Sequence, residues 1–230
     1  MPTLLVTRPI EASERFVNAI RAELPDVQTV ISPAIRFEAV EYDASNTGQS
    51  LILTSAQAAK RAVALGFQGA TAYCVGAQTT KIAQEAGLRA TCLGADVVEL
   101  VDQLVSDTPE EPLLYLRGRH VASELVGELS KGGMNIAEAI VYDQIAQPLT
   151  AEAQAALSGK EPVVLPLFSP RSARLIQGAV AAPVSIIAMS QNVADAAGHL
   201  DATDVCVAPE PTAKAMVAAT CRALKAISGC

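Results

Sequence analysis

The sequence predicts an α/β protein made of two parallel-sheet domains. Short apolar segments, such as 51–54 and 163–168, alternate along the chain with amphipathic segments such as 212–227. Strand and helix in strict alternation favour parallel sheets built from right-handed βαβ units. Half of the residues are hydrophobic but only 3% are aromatic, so the core must consist of Ala, Val, Leu and Ile. These side chains suit the packing of helices on both faces of a parallel sheet.

Each strand is predicted from an apolar run of four to six residues, and each helix from an apolar stripe with helical spacing. The predicted strands are 4–7, 27–31, 51–54, 72–75, 90–93, 113–116, 136–141, 163–168, 184–189 and 204–207. The predicted helices are 12–22, 56–65, 78–86, 97–105, 122–129, 173–180, 193–197 and 212–227.

The sequence also contains an internal repeat in permuted order. Segments 51–66 and 72–88 recur as 164–180 and 184–200, each reading as strand, polar turn and helix. The next segment of the first copy, 113–129, matches the N-terminal residues 4–20 and nothing downstream. The N-terminus should therefore complete the second copy, unless the similarity is only that of any two βαβ units.

This permutation predicts how the chain is divided into domains. One domain should be continuous over 40–138, and the other should be split between 1–34 and 149–230. Hinge strands at 35–39 and 139–148 would then connect them. We expect two flavodoxin-like domains with a substrate cleft between them, since ligands of such sheets bind beyond the carboxyl ends of the strands.

Composition and motifs exclude several classes of protein. A net charge of −7 argues against nucleic-acid binding but not against an anionic ligand, which helix N-termini can hold. The sequence shows neither a GxGxxG nor a GxxxxGK[ST] motif, so a nucleotide enzyme is not expected. It also lacks a signal-peptide pattern and an apolar run of about 20 residues, which predicts a cytoplasmic protein with no membrane contact.

The cysteines predict no metal site. They are scattered through the chain without a CxxC pair, and only two His accompany them. Their odd number is typical of free thiols in a reducing compartment. The five are Cys74, Cys92, Cys206, Cys221 and Cys230.

Small polar residues occupy five predicted strand-to-helix turns. Parallel strands bring such turns to one edge of a sheet, where hydroxyl, amide and backbone N–H groups can bind carboxylates. The alternative for each residue is that it only caps its helix. The candidate ligand-binding residues are Thr7, Arg8, Ser55, Gly76, Gln78, Thr79, Ser169, Arg171, Ser172, Ser190, Gln191 and Asn192.

Seven segments in order along the chain resemble the uroporphyrinogen-III synthase family. They are LLVTRP, LILTSAQAA, CVGAQTTKIAQEAGL, LYLRGRHVASEL, IVYDQ, LFSPRSAR and APEPTAKAM. The resemblance implies a cyclising hydro-lyase of haem, chlorophyll or cobalamin biosynthesis. It would close hydroxymethylbilane, a linear tetrapyrrole with eight carboxylates, with inversion of ring D and loss of water. It implies no cofactor, and we expect a monomer.

The resemblance also suggests a role for Tyr142. The family has a Tyr at this position, proposed to help the substrate hydroxyl leave, and a phenol is a protonated donor at neutral pH. The alternative is an aromatic ring that packs the hinge.

Arg117 could bind a carboxylate of the substrate or form a structural ion pair. His120 and His199 lack a partner motif and are expected at the surface.

The second copy of the repeat departs from the family pattern. Ser190 stands where the family has Gly, and Val193 stands where it usually has a Thr that matters for activity. The segment LPLFSP replaces the usual apolar–Thr–Ser pattern, although Ser169 remains. Either Asn192 replaces the lost hydroxyl or this turn is weak. A rival hypothesis is a cytoplasmic two-domain binding or sensor protein for an anionic small molecule, because solute-binding receptors are also built with a cleft between two domains joined by two crossovers.

Overall fold

The computed structural model describes residues 1–42, 49–107, 109–120, 124–178 and 180–229. Their strands are β1 Thr3–Val6, β2 Gln28–Ile31, β3 Ile35–Ala39, β4 Ser50–Leu53, β5 Thr71–Val75, β6 Arg89–Gly94, β7 Leu113–Gly118, β8 Ile136–Ala146, β9 Val163–Leu167, β10 Val184–Ala188 and β11 Asp204–Val207. Their helices are α1 Ile10–Glu23, α2 Ala56–Ala64, α3 Ala77–Glu85, α4 Val97–Ser106, α5 Leu125–Lys131, α6 Ala151–Ser158, α7 Pro170–Arg174, α8 Gln191–Ala196 and α9 Ala213–Ser228.

The chain divides into two compact units. Unit 1 consists of Met1–Arg36 together with Ile145–Cys230, and unit 2 is Phe37–Gln144. The sheet of unit 1 has the strand order β11-β10-β9-β1-β2, and the second sheet has the order β3-β8-β7-β4-β5-β6. The division falls within β3 and β8, and the hinge role of these strands remains a prediction.

The N-terminal strand pairs with a strand from the second half of the sequence. Thr3 of β1 lies opposite Val163 of β9, and on its other side β1 pairs with β2, both in parallel. The prediction that 4–7 shares a sheet with 163–168 is therefore confirmed. The two segments of unit 1 are joined by backbone hydrogen bonds within one sheet.

Each sheet has helices on both faces, because successive residues of a strand point to opposite sides. In unit 1, Leu5 faces the core beneath α6, α7 and α8, whereas Leu4 and Val6 face α1 and α9. In unit 2, Leu51 and Leu53 pack against α2 and α3. Buried strands of this kind read as continuous apolar runs, which is why they could be recognised in the sequence.

Two helices differ from the prediction. Helix α6 was not predicted, although Thr150 caps it by accepting the N–H of Ala153 at 3.3 Å. Helix α7 spans Pro170–Arg174 instead of 173–180, because Ser169 and Pro170 start it three residues earlier. The predicted start of helix 122–129 lies outside the described residues, and α5 begins at Leu125.

Within the described residues, no helix has both the length and the apolar character to cross a membrane. The same ranges contain no group of three or more His, Cys, Asp or Glu arranged to hold a metal ion. Cys74 and Cys221 are buried free thiols, and Cys92 and Cys206 are exposed free thiols. Cys230 lies outside the described residues.

Candidate active site

Tyr142 lies on β8 opposite Gly118 of β7 and is 7% exposed. Its ring packs edge-on against Phe37, with 5.6 Å between the ring centroids. Its hydroxyl oxygen is 3.0 Å from the Oγ of Ser55, so these two predicted site residues are in direct contact. β-strand pairing thus brings together groups that are 87 residues apart in sequence.

Ser55 lies between β4 and α2 and caps the helix. Its backbone is extended, with φ −150°, and its Oγ accepts the N–H of Ala58 at 3.1 Å. The same Oγ also makes the hydrogen bond to Tyr142. Ser55 therefore fixes the start of α2 and, at the same time, the position of a phenol.

Burial raises the pKa of Tyr142, against the opposing effect of its hydrogen bond to Ser55. The nearby Tyr115 raises this pKa further, and a backbone hydrogen bond with Gly118 lowers it. The net shift is upward from a value near 10, so the phenol is protonated at neutral pH. Tyr142 therefore carries a hydrogen-bond donor at the carboxyl-end side of unit 2.

Gly76, Gln78 and Thr79 lie at the start of α3. Gly76 has φ +77°, a conformation that favours glycine, and its N–H donates to the carbonyl of Gly94 at 2.8 Å. Gln78 is exposed, whereas Thr79 is buried on the inner side of the first turn. The side-chain amide of Gln78 is therefore accessible to solvent, whereas the hydroxyl of Thr79 is not.

Arg117 forms an ion pair with Glu138 of the neighbouring strand. Its Nε donates to Oε2 of Glu138 at 2.8 Å, and its Nη2 donates to Oε1 of the same carboxylate. This hydrogen bond to Glu138 raises the pKa of Arg117. The structural ion pair weighed from the sequence is thus present, and substrate binding by Arg117 remains a prediction.

Both histidines lie at the surface, as predicted. His120 is next to Arg119 and lies 3.5 Å from Asp143, whose carboxylate also accepts a hydrogen bond from Arg119 at 2.7 Å. The ring of His199 contacts the carbonyls of Ala196 and Ile176. Each histidine therefore has a local structural partner.

In unit 1, the turn after β1 leaves Arg8 partly accessible to solvent, whereas the side chain of Thr7 is buried. Thr7 is buried, and its carbonyl accepts the N–H of Ala34 at 3.0 Å. The guanidinium of Arg8 lies 3.9 Å from the centroid of the Phe168 ring, at the end of β9. Burial, assisted by the charge of Arg15, lowers the pKa of Arg8 from a value far above neutrality. Arg8 remains a cation held in place by an aromatic face.

The turn after β9 is organised by serine hydroxyls. The Oγ of Ser169 accepts the N–H of Ser172 at 3.1 Å and donates to the Oγ of Ser172 at 2.9 Å. Ser169, Arg171 and Ser172 are all half-buried. Capping of α7 therefore accounts for Ser169, while Ser172 retains its own proton for another partner.

The turn after β10 exposes the side chains of Gln191 and Asn192, and Ser190 is half-buried. Ser190 starts α8 without making a side-chain cap, and Asn192 is exposed. The amide of Gln191 donates to Asp195 at 2.7 Å. Val193, the residue that departs from the family pattern, is 2% exposed and belongs to the core of unit 1.

Gly118 was missed by sequence reasoning. A Cβ added there would lie 2.6 Å from Cε2 of Tyr142, closer than side chains approach one another. Its position in LRGRH, two residues after the predicted strand 113–116, was the only signal in the sequence. Glycine at such a position often marks the close approach of another group.

The units are parallel α/β layers with polar turns at the carboxyl ends of their strands, the edge at which ligands of such α/β proteins bind. The chain belongs to the uroporphyrinogen-III synthase family. The model of that family, described as HEM4, uroporphyrinogen-III synthase HemD, matches residues 14–218. Family membership makes the protein an enzyme of tetrapyrrole biosynthesis.

Solved structures show that the fold is shared. A uroporphyrinogen-III synthetase from Helicobacter pylori matches with a TM-score of 0.67 at 18% identity, over 97% of this chain and 100% of that one. A mutant uroporphyrinogen III synthase from the extremely thermophilic bacterium Thermus thermophilus matches with a TM-score of 0.50 at 13% identity, over 98% and 100%. No curated protein gives a match to the sequence.

Proposed function

We propose that this protein converts hydroxymethylbilane to uroporphyrinogen III, closing the ring with loss of water and inverting ring D. The family match supports the reaction. The structural observation that carries the proposal is the Tyr142 hydroxyl, protonated and bonded to Ser55 at 3.0 Å. In this chain, Tyr142 is the residue proposed to assist the departure of the substrate hydroxyl.

The proposed chemistry starts with cleavage of the C–OH bond of the substrate. Tyr142 donates its phenol proton to the departing oxygen, which leaves as water, and the pyrrole N–H proton passes to the phenolate, which gives an azafulvene and restores the phenol. Ring D then attacks to form a spiro intermediate, which fragments and recloses with ring D inverted. The azafulvene nitrogen regains a proton as ring D attacks, and ring D releases a proton from the carbon at which the macrocycle closes, so one molecule of water is the net loss.

Positioning must supply much of the catalysis, since the linear substrate also closes by itself to the uninverted isomer. We propose that polar groups at the carboxyl ends of the strands hold the substrate carboxylates. Arg8, Ser172 and Asn192 contribute in unit 1, and Gln78 contributes in unit 2. Helices α7 and α8 have only five and six residues, so side chains count for more there than helix dipoles.

We further propose that the enzyme is a hydro-lyase that works as a cytoplasmic monomer without a cofactor. The substrate-binding roles of the remaining predicted residues, Thr7, Ser55, Gly76, Thr79, Arg117, Ser169, Arg171, Ser190 and Gln191, are part of the same proposal. So is the division into a continuous domain and a discontinuous one. Sedimentation at working concentration measures the oligomeric state directly.

The decisive experiment supplies hydroxymethylbilane and separates the product isomers. We expect isomer III to form faster than isomer I arises spontaneously. The rival function, a binding or sensor protein for an anionic molecule, predicts saturable binding of the tetrapyrrole with only isomer I produced. That result would overturn the proposed function.

A further inference from the structure

Gly118 leaves space that the ring of Tyr142 occupies. A Cβ at this position would lie 2.6 Å from Cε2, 2.7 Å from Cζ and 3.0 Å from the hydroxyl oxygen of Tyr142. The backbone of Gly118 does not adopt positive φ. Space, and not backbone conformation, is therefore the reason for glycine at this position.

Tyr142 has little room to move away from an added methyl group. The ring is part of the buried core of unit 2 and meets Phe37 edge-on. Ordinary contact with a Cβ would require the ring or β7 to shift by about 0.8 Å. A displacement of about 1 Å in a reacting group can cost about a hundredfold in rate.

The hydroxyl of Tyr142 contacts Ser55. The Oγ of Ser55 accepts the N–H of Ala58 at 3.1 Å and lies 3.0 Å from the hydroxyl oxygen of Tyr142, and its own proton is available for donation to that oxygen. When Ser55 donates in this pair, the phenol oxygen is the acceptor and the phenol proton is left for the substrate.

We propose that Gly118 and Ser55 are positioning residues for Tyr142: Gly118 provides the space for its ring, and Ser55 donates to its oxygen so that the phenol proton points to the departing hydroxyl. This inference deepens the proposed function and rests on it. Both residues act through Tyr142, and neither needs to touch the reacting atoms.

The first test compares Gly118→Ala with Gly94→Ala. A Cβ at Gly94, at the carboxyl end of β6 in the same sheet, would lie 2.5 Å from the Cβ of Glu99, a similar conflict remote from the phenol. We expect Gly118→Ala to lower kcat for isomer III about a hundredfold with little change in KM. Gly94→Ala should lower only the thermal midpoint.

The second test is spectroscopic and independent of activity. The protein has four Tyr and no Trp, so 13C-labelled tyrosine gives a simple NMR spectrum in which Tyr142→Phe identifies one signal. Gly118→Ala should shift the Tyr142 signal, and Gly94→Ala should not. An unshifted signal, with unchanged kcat in the Gly118 variant, would overturn the role of Gly118.

Ser55 variants keep the proposal testable if Gly118→Ala does not fold. Ser55→Ala removes both the cap and the donor, whereas Asp96→Ala removes only a cap, that of α4, in the same unit. We expect Ser55→Ala to raise the titration midpoint of Tyr142 and lower kcat, and Ser55→Thr to restore both. Equal effects of Ser55→Ala and Asp96→Ala on kcat, with the midpoint unmoved, would contradict the proposal.

Different results would contradict the positioning roles of Gly118 and Ser55 and the proposed function. If the Tyr142 signal responds as expected in a protein that makes no isomer III, the positioning contact is real and the proposed function is wrong. If isomer III forms and Tyr142→Phe is inert, the function stands and Gly118 and Ser55 have no catalytic role through Tyr142.

Discussion

Thr79 and Val193 occupy the same position in two corresponding helices. Each is the third residue after its N-cap, which is Gly76 in α3 and Ser190 in α8. Both side chains face inward, with exposed fractions of 8% and 2%. The repeat is thus carried into the structure, and one copy has replaced a hydroxyl by an aliphatic group at the inner side of the turn.

Val193→Thr restores the hydroxyl and should leave kcat/KM unchanged or raise it slightly, because the side chain is enclosed by the core. The same change should lower the free energy of unfolding by about 1–3 kcal/mol, the cost of a hydroxyl among apolar side chains. Isomer assays and urea denaturation measure the two effects. A gain of orders of magnitude in turnover, together with a silent Asn192→Ala, would instead indicate a degenerate turn and favour the sensor hypothesis.

Asn192→Ala should lower kcat/KM about tenfold or more. Asn192 is exposed at the start of α8, and one hydrogen bond to a charged group contributes about 1.5–3 kcal/mol. The comparison is Asn18→Ala, an exposed Asn of α1, which should have no effect on turnover. Identical kinetics for the two variants would remove Asn192 from the carboxylate site.

Tyr142→Phe should slow the formation of isomer III by roughly ten- to a thousandfold or more, since positioned proton donors contribute about 10²–10⁴. KM should change less, because the ring and its packing remain. Tyr115→Phe is the matched control: its hydroxyl, 3.1 Å from Thr54 Oγ1, belongs to another buried Tyr of the same sheet. The prediction fails if the two variants lose activity to the same extent.

Arg8→Gln should raise KM about tenfold and leave kcat almost unchanged, because the lost cation binds a carboxylate and takes no part in proton transfer. Arg15→Gln removes a neighbouring positive charge without the aromatic contact and controls for a general electrostatic effect. Steady-state kinetics at two salt concentrations separate these contributions. A lower kcat at constant KM would contradict a binding role for Arg8.

Chelation followed by desalting should leave the activity intact, since the chain has neither a phosphate-binding motif nor clustered metal ligands in its sequence. The measurement is the isomer III rate before and after treatment. Recovery of a lost rate only on adding a metal ion or a nucleotide would refute cofactor independence.

The strands could be predicted because burial on both faces gives short, continuous apolar runs. The run at 51–54 corresponds to β4 with a shift of one residue. Helix α6 left little trace, since it buries only Ala153 and Leu157 and its first residues are alanine-rich. Its cap at Thr150 was a usable signal, but a single Thr is common outside helices too.

The site was predictable where its chemistry is local. Ser55 and Ser169 follow strands and precede helices, and both act as caps as the alternative interpretation required. Contacts between neighbouring strands could not be predicted in this way. The pairing of Arg117 with Glu138, and of Gly118 with Tyr142, depends on the register of β7 against β8, which single-sequence patterns do not determine.

The pairing of β1 with β9 has a consequence for synthesis on the ribosome. Every residue of unit 2 is translated before Val163, the first partner of Thr3 in β9. At about 5–20 residues per second, β1 therefore waits on the order of 10–30 s for its neighbour. During this interval the apolar face of α1, with Phe16 and Ile20, has no access to its partner α9. This face of α1 therefore stays uncovered until α9 has been synthesised, and removal of α9 should expose it in the folded protein.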